Sequence, residues 1–387
     1  MQHSPRDESK VASSSALSGQ WRFLDLLHGA SARLLTVTAI TVAVAWVPLA
    51  IFCVVRGGAT FVSFLTDYAI QSRFLVILPV LMLAAPNLNG RLEMVARHFE
   101  PFVPQNQISR FQASWTSFER LRNSRLAQGV MVLLTYAIAA WLAQYLSPQG
   151  TEIMPWTKGG GGFRWMSLAG TYAVFVSYPI LAYLGFLWLW RQLLWTRFMR
   201  SAARLNLRVI AAHPDRLAGL AFLEASLRGQ MPFSFCLGAG LAGAVANRVF
   251  HHGQKLTNFN YAAGALVGAV LLICIVPYFV FTPVLMQIRR RGLLRYGAFA
   301  RAMGEQFEKK WLDQPDNVNQ DVLTVPDFSA TTDLYSVVSI VNDIRVLPVG
   351  LVDLYILMVV AFIPVIPVVL GAIPFDIVAR AAVKLLF

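Results

Sequence analysis

The sequence is poor in charged residues, and above all in acidic ones. Only 14% of its 387 residues are charged, and 20 Asp and Glu residues stand against 33 Lys and Arg, so the formal net charge is +13. Hydrophobic residues make up 56% of the chain and its mean hydropathy is +0.55. A soluble core of this length could not bury so much apolar surface. The composition therefore excludes an ordinary soluble protein and predicts that a lipid bilayer is the partner of most of its surface.

Cysteine and catalytic motifs are equally scarce. The three cysteines, Cys53, Cys236 and Cys274, lie in apolar stretches without a C-x-x-C spacing, which argues against a disulfide framework and against a zinc site. The sequence has no G-x-S-x-G and no H-E-x-x-H motif, and the glycines after Lys158 lack the Lys-Ser/Thr of a phosphate-binding loop. We therefore predict no enzymatic activity, no catalytic residue, no metal and no cofactor.

Long apolar runs are what the sequence has instead. About 20 apolar residues are needed for a helix to cross the hydrocarbon layer. Five runs meet this length cleanly or nearly so, at residues 34–55, 126–146, 166–190, 262–286 and 351–373. Two weaker runs, at 66–86 and 231–248, carry polar residues or many Gly and Ala, and are expected to pack inside the bundle. The predicted fold is an all-α integral membrane protein, a bundle of about seven transmembrane helices with amphipathic cytoplasmic helical extensions.

The last run leaves two interpretations open. It contains Asp353 near its start and Pro364 and Pro367 at its centre. A full span is favoured, and a hairpin that either re-enters the same face of the membrane or lies at its interface is the alternative.

The distribution of basic residues predicts an orientation. If the polar N-terminal segment 1–33 is cytoplasmic, the segments on the same side hold 25 of the 33 Lys and Arg. These segments are 1–33, 87–125, 191–230 and 288–350. An excess of Lys and Arg marks cytoplasmic connections. The basic residues lie between apolar runs and not in one folded patch, so the charge predicts topology in a bacterial inner membrane, with the N-terminus inside, and no nucleic-acid partner.

The cytoplasmic connections show helical periodicity. Apolar residues recur at steps of three and four in two stripes, one at Ile108, Phe111, Trp115, Phe118 and Leu121, the other at Leu293, Tyr296, Phe299, Met303 and Phe307. We expect 87–125, 191–230 and 288–350 to pack together as a cytoplasmic helical layer; helices lying flat on the anionic leaflet are the alternative. Residues 374–387 are expected to form a short amphipathic C-terminal helix.

The connection after the fourth run holds one candidate cytoplasmic site, made of His213, Asp215 and Arg216. Pro214 can occupy the first turn of a new helix, with Asp215 close to the helix dipole. The stretch is then a loop-to-helix junction. The alternative is that His213 senses protons or binds an anion or a metal, although a His with one Asp is too little for a metal claim.

Two further sets of residues have positions that suggest a role. Trp188, Trp190 and Trp195 end the fourth run and are expected to anchor it at the membrane interface. The polar residues Asp67, Arg73, Asn247 and Arg248 lie near the ends of the two weaker runs. They are interpreted either as interfacial residues or as the lining of a polar vestibule.

These residues also carry a resemblance. The set consists of His213–Arg216 followed by Ala218–Leu223, Ser72–Leu75 through Leu78–Pro79, Ala246–Arg248, Phe281–Pro283 and Phe307–Trp311. In combination it resembles a family of bacterial inner-membrane proteins with the motif H-P-D-R-x-x-G-L and no established activity. The resemblance covers nearly all of the chain after about residue 25, and departs from the expected pattern at Ala218, where a second Gly is expected. It implies the architecture only.

Two functions remain as hypotheses. The first is transport, by an oligomeric ion channel with a preference for anions at its basic inner mouth or by a small-solute carrier. The second is a membrane-anchored sensor, effector or scaffold that acts through its cytoplasmic helical layer. The first predicts a homo-oligomer in its channel form, and the second predicts a cytoplasmic protein partner.

Overall fold

The computed structural model describes residues 32–145, 154–159, 162–163, 165–313 and 327–372. In these residues the secondary structure is helical, and β-pairing is limited to one isolated bridge between Lys158 and Met166. The predicted N-terminal segment up to residue 31 and the predicted helix 374–387 lie outside the described residues.

The helices follow one another along the chain. In chain order they are α1 (Ala32–Arg56), α2 (Gly58–Leu65), α3 (Tyr68–Phe102), α4 (Ile108–Arg122), α5 (Arg125–Tyr145), α6 (Leu168–Ala203), α7 (Ala221–His252), α8 (Leu256–Phe279), α9 (Thr282–Trp311), α10 (Asp327–Asn342) and α11 (Leu351–Ala372). Seven of them, α1, α3, α5, α6, α7, α8 and α11, are long and apolar enough to cross a membrane. The seven runs predicted from the sequence are thus all found as helices, and they indicate a multi-pass membrane protein.

The two weaker runs form the centre of the bundle. Helices α3 and α7 bury a larger share of their most apolar window than the other five do. Small residues of α7 allow this close contact: Gly243 lies against Ala69 of α3, and Ser72 Oγ donates a hydrogen bond to the Ala239 carbonyl at 2.6 Å. The polar character that weakened these runs in the sequence is explained by their central position, where other helices cover them.

Helix α11 runs the full length of α7, which excludes the hairpin alternative for the last run. Near the start of both helices Arg228 pairs with Asp353, further along Gly238 lies against Ala361, and near the end Phe250 contacts Gly371. The contacts advance together along both helices. A single 3-10 turn at Ile363–Val365 accommodates the prolines without reversing the chain.

The predicted helical stripes are present, but they do not pack against each other. Helix α4 buries Phe111 and Phe118 against α6. Helix α9 pairs with α10, where Phe307 packs edge-on to Phe328, and it leaves Phe299 60% exposed. The two stripes therefore pack on different helices. The three predicted segments nevertheless contact one another: the Asn206 N–H donates to Gln107 Oε1 at 3.0 Å, and an added Cβ at Gly292 would lie 3.0 Å from the Ala211 Cβ.

The alternation of the spanning helices gives the bundle two ends. One end, called the Asp67 end, holds the connections α1–α3, α5–α6 and α7–α8. The other, called the Asp215 end, holds the connections α3–α5, α6–α7 and α8–α11. The candidate residues from the sequence divide between these two ends.

Candidate functional site: a polar cavity at the Asp67 end

Asp67 ties three elements of the bundle together. Its carboxylate caps α3 by accepting the Ile70 N–H at 3.2 Å, and it also accepts Trp156 Nε1–H at 2.9 Å and Asn247 Nδ2–H at 2.8 Å. The side chain is buried, and no Lys, Arg or His nitrogen of the described chain lies within ion-pair distance of it. Neutral donors therefore compensate the buried carboxylate, and the residue is not the exposed interfacial group that one reading of the sequence suggested.

A cavity of about 300 Å³ opens beside Asp67. Its walls include all four residues of the predicted vestibule, Asp67, Arg73, Asn247 and Arg248. The structure thus brings together residues that are up to about 180 positions apart in sequence. Residues that the sequence analysis missed complete the lining, chiefly Trp156, Tyr178 and His252.

Arg73 is held at the wall by Tyr178. Its Nη1 donates to the Tyr178 hydroxyl at 3.2 Å, and its guanidinium lies 5.5 Å from the centre of the Tyr178 ring. On the opposite wall, Asn247 Oδ1 is buried without a hydrogen-bond partner among the described residues. The cavity therefore presents cationic groups and one free carbonyl acceptor.

Two π-helical segments shape the cavity. Helix α3 widens to a π-helix at Ser72–Ile77, and α6 does so at Ala173–Ser177. Each segment lies just before a proline, Pro79 and Pro179, whose ring lacks an N–H and displaces the carbonyl one turn earlier. Arg73 lies on the first segment and Tyr178 follows the second. The prolines are a sequence signal for these irregular turns, which frequently occur at functional sites.

The cavity does not continue through the bundle along these helices. On the side towards the Asp215 end, α3 and α6 contribute buried apolar side chains, among them Phe74, Leu78, Leu81 and Trp188. Phe233 of α7 stacks on the Trp188 ring at 5.5 Å. The cavity floor is thus an apolar plug.

The His213–Arg216 stretch lies at the Asp215 end, in a loop organised by one carboxylate. Asp215 accepts the N–H groups of Leu217 at 2.8 Å, Gly219 at 3.1 Å and Ala221 at 3.1 Å. His213 Nδ1 lies 2.9 Å from the same carboxylate. The expectation that Pro214 starts a helix is wrong: α7 begins at Ala221, and Asp215 caps it from six residues upstream.

The backbone of this loop explains where glycine is favoured. Arg216, Ala218 and Gly219 have φ angles of 56°, 58° and 94°. The left-handed backbone at Ala218 is one that glycine adopts without strain. At Gly219 a Cβ would lie 2.9 Å from the Phe102 ring. The loop is therefore closely fitted to the end of α3.

The electrostatics of Asp215 agree with a structural role. Burial favours its neutral form, but the three backbone hydrogen bonds and the His213 contact outweigh burial and lower the pKa of the carboxyl below its ordinary value. Arg345 adds a second tie, because its N–H donates to the Arg216 carbonyl at 2.9 Å and its guanidinium pairs with Glu224 at 3.0 Å. The polar groups of Asp215 are thus occupied by the protein itself.

The three tryptophans do not share one role. Trp188 is 3% exposed and donates from Nε1 to the Leu81 carbonyl, and Trp195 is fully buried between Phe118 and Phe198. An interface anchor has to reach the lipid headgroups, so the anchoring prediction is wrong for these two. Trp190 is half-buried and donates to the Leu121 carbonyl at 3.2 Å.

A basic groove also lies at the Asp215 end, between α4 and α6, with a volume of about 600 Å³. No Asp or Glu is among its lining residues. Its polar lining consists of Arg110, Arg197, Arg200 and Arg204 with Ser114, Ser117 and Ser201.

Comparisons with protein-family models, curated proteins and solved structures found no match. Within the described ranges, no group of three or more His, Cys, Asp and Glu side chains could hold a metal ion. Functional inference therefore depends on the geometry of the polar cavity and of the basic groove.

Proposed function

We propose that this chain is a multi-pass protein of the bacterial inner membrane that carries a small solute, and that the polar cavity binds this solute. The observation that supports the proposal is the convergence of Asp67, Arg73 and Arg248 on one cavity between two π-interrupted helices. Charged groups within a helical bundle are costly and are typical of solute or ion pathways. In the orientation inferred from the basic residues, this cavity faces outwards.

The lining indicates the chemistry of the solute. Asp67 already accepts three neutral donors, and the cavity wall also carries the guanidinium groups of Arg73 and Arg248. The free Asn247 Oδ1 can accept a hydrogen bond from a ligand donor. We therefore expect a small organic anion or zwitterion that has both a carboxylate or phosphate and an N–H or O–H group.

The apolar plug favours a carrier over a channel. A conducting pore through one copy of the chain would need a hydrated path past Phe74, Trp188 and Phe233, which are packed and buried. A carrier needs no such path, because it exposes its binding site to one side at a time. An oligomeric channel would have to place its pore between copies, away from this cavity.

Arg73 provides the test. The purified full-length chain is screened by thermal shift against small anionic and zwitterionic solutes, and each solute that stabilises it is then tested for uptake into liposomes. R73Q removes one cation from the cavity wall, and a hydrogen bond to a charged group contributes about 1.5–3 kcal/mol. We expect R73Q to bind the solute at least tenfold more weakly and to lose uptake.

The matched control is K255Q. Lys255 is an exposed cation at the same end and does not line the cavity. It should bind and transport as the wild type does. Equal loss in K255Q and R73Q, or unchanged binding in R73Q, would contradict the proposal. Binding without uptake by any solute would favour a receptor.

The second candidate is the sensor or scaffold, and the basic groove favours it. Four arginines without an acidic neighbour attract an anionic partner from the cytoplasmic side. The double variant R197E/R200E should abolish a crosslink to a cytoplasmic protein in inner membranes while leaving solute uptake unchanged.

A further inference from the structure

A smaller recess of about 210 Å³ lies at the Asp215 end, between α3, α5 and α6. Tyr183, Leu187 and Arg191 form one wall, since residues four apart on a helix share a face. The end of α4 forms another wall at Arg122 and Asn123. Trp190 fixes this end of α4 by donating to the Leu121 carbonyl at 3.2 Å. The recess is thus built by packed helices and not by a loose surface loop.

Two buried polar atoms of this recess lack hydrogen-bond partners among the described residues. Arg191 Nη1 and Asn89 Oδ1 are both buried without a hydrogen-bond partner in the described part of the chain. The Arg122 guanidinium lies 5.8 Å from the Phe118 ring, and no acidic residue lines the recess. Two cations therefore share a partly buried space without a counter-charge, which is unfavourable unless an anion is present.

The remaining lining suits a phosphate group. Guanidinium groups bind phosphate oxygens through paired N–H donors, and the Tyr183 hydroxyl and the Gln128 amide add neutral donors to the wall. The Asn89 amide can turn its Nδ2 towards the same space, because its oxygen is not held by a hydrogen bond in the described residues.

The position of the recess indicates that a lipid supplies the phosphate group. It lies beside α5, whose apolar residues are largely exposed, such as Leu126 at 81% and Leu133 at 72%. Basic recesses between membrane helices on the cytoplasmic side are typical binding sites for anionic headgroups. We propose that Arg122 and Arg191 bind a phosphate group in this recess, supplied by the headgroup of an anionic phospholipid. The proposal is independent of the solute cavity, which lies at the other end of the bundle.

The experiment uses the full-length chain, purified in a phosphate-free detergent and delipidated. Its thermal stability is measured with added phosphatidylglycerol, with phosphatidylcholine and with inorganic phosphate, and native mass spectrometry counts the lipids retained. We expect phosphatidylglycerol to stabilise the wild type and to remain bound. R122Q should weaken this effect at least tenfold. R191Q should do the same, but because Arg191 is partly buried, R122Q decides the result if R191Q fails to fold.

R125Q is the matched control. Arg125 is an exposed cation at the start of α5 and does not line the recess. It should retain the wild-type response. Equal stabilisation by inorganic phosphate would support the phosphate site and assign it to a soluble source. An unchanged response in R122Q, an equal loss in R125Q, or equal stabilisation by phosphatidylcholine would overturn the proposal.

Discussion

The carboxylates of Asp67 and Asp215 are held in the same way at opposite ends of the bundle. Each accepts three hydrogen bonds from neutral N–H groups. Those of Asp67 join segments that are distant in the chain, and those of Asp215 hold a loop against the start of α7. Substitution of such a residue leaves several buried donors without an acceptor, and unmade buried hydrogen bonds cost more than made ones contribute. The two residues differ in their surroundings, because of the two only Asp67 borders a cavity with cationic walls.

D215N should destabilise the protein by about 1–3 kcal/mol, because the new amide N–H₂ would face the N–H of Ala221 or of Leu217 and Gly219. The free energy of unfolding in a detergent titration measures the effect. The pKa of Asp215 is lowered in the folded state, so its contribution is present above the ordinary Asp pKa and is lost as the pH falls below that value. The difference between wild type and D215N should therefore shrink in strong acid. D343N, at an exposed ion pair with a 3.9 Å separation, should change stability by less than about 0.5 kcal/mol.

Helix α7 has opposite faces made of small residues, and this allows α3 and α11 to approach it closely. At Gly238 an added Cβ would lie 1.7 Å from the Ala361 carbonyl oxygen, and at Gly243 it would lie 2.9 Å from the Ala69 Cα. Backbone atoms cannot move aside as a flexible side chain can. The helix-to-helix distances, and with them the width of the polar cavity between α3 and α7, therefore depend on these glycines.

G238A should destabilise the bundle by at least about 1–3 kcal/mol, as overpacking of a tight interface does. G264A is the control, because Gly264 lies inside α8 and nothing is within 4 Å of an added Cβ. Alanine there should leave stability unchanged or raise it by up to about 1 kcal/mol. The same detergent titration compares the two variants, and equal stability of both would contradict the close packing of α7 on α11.

The whole molecule is asymmetric along its long axis. The Asp67 end has the polar cavity, and the Asp215 end carries α4, α9, α10 and the arginines of the basic groove. An apolar plug separates the two. This asymmetry agrees with the orientation that we propose from the basic residues, with the Asp215 end in the cytoplasm.

Single added cysteines test that orientation. The native cysteines Cys53, Cys236 and Cys274 are buried, so background labelling should be low. We expect N258C, in the exposed first turn of α8, to react with a membrane-impermeant maleimide in intact spheroplasts. Q306C on α9 should react only after permeabilisation. The reverse pattern would place the polar cavity in the cytoplasm.

The sequence by itself predicted the seven long apolar helices and four of the residues that line the polar cavity. Apolar run length follows from the order of residue types alone. Polar residues inside weak spans, such as Asp67 and Arg248, stand out because placing them within a membrane costs free energy. The apolar periodicity also located α4 and α9, but it does not show which helix each stripe packs against.

Only the tertiary structure decided which surface each side chain faces. Trp188 and Trp195 have the sequence pattern of interface anchors, yet neighbouring helices bury them, and hydropathy along one helix does not reveal its neighbours. The roles of Trp156 and Tyr178 depend on contacts about 90 to 105 residues away in the chain. The same holds for Asp215, whose partners follow from a left-handed loop conformation at Ala218 that residue types alone do not specify. The physical reason is that burial and hydrogen-bond satisfaction are properties of the packed chain, whereas apolar run length is a property of the sequence.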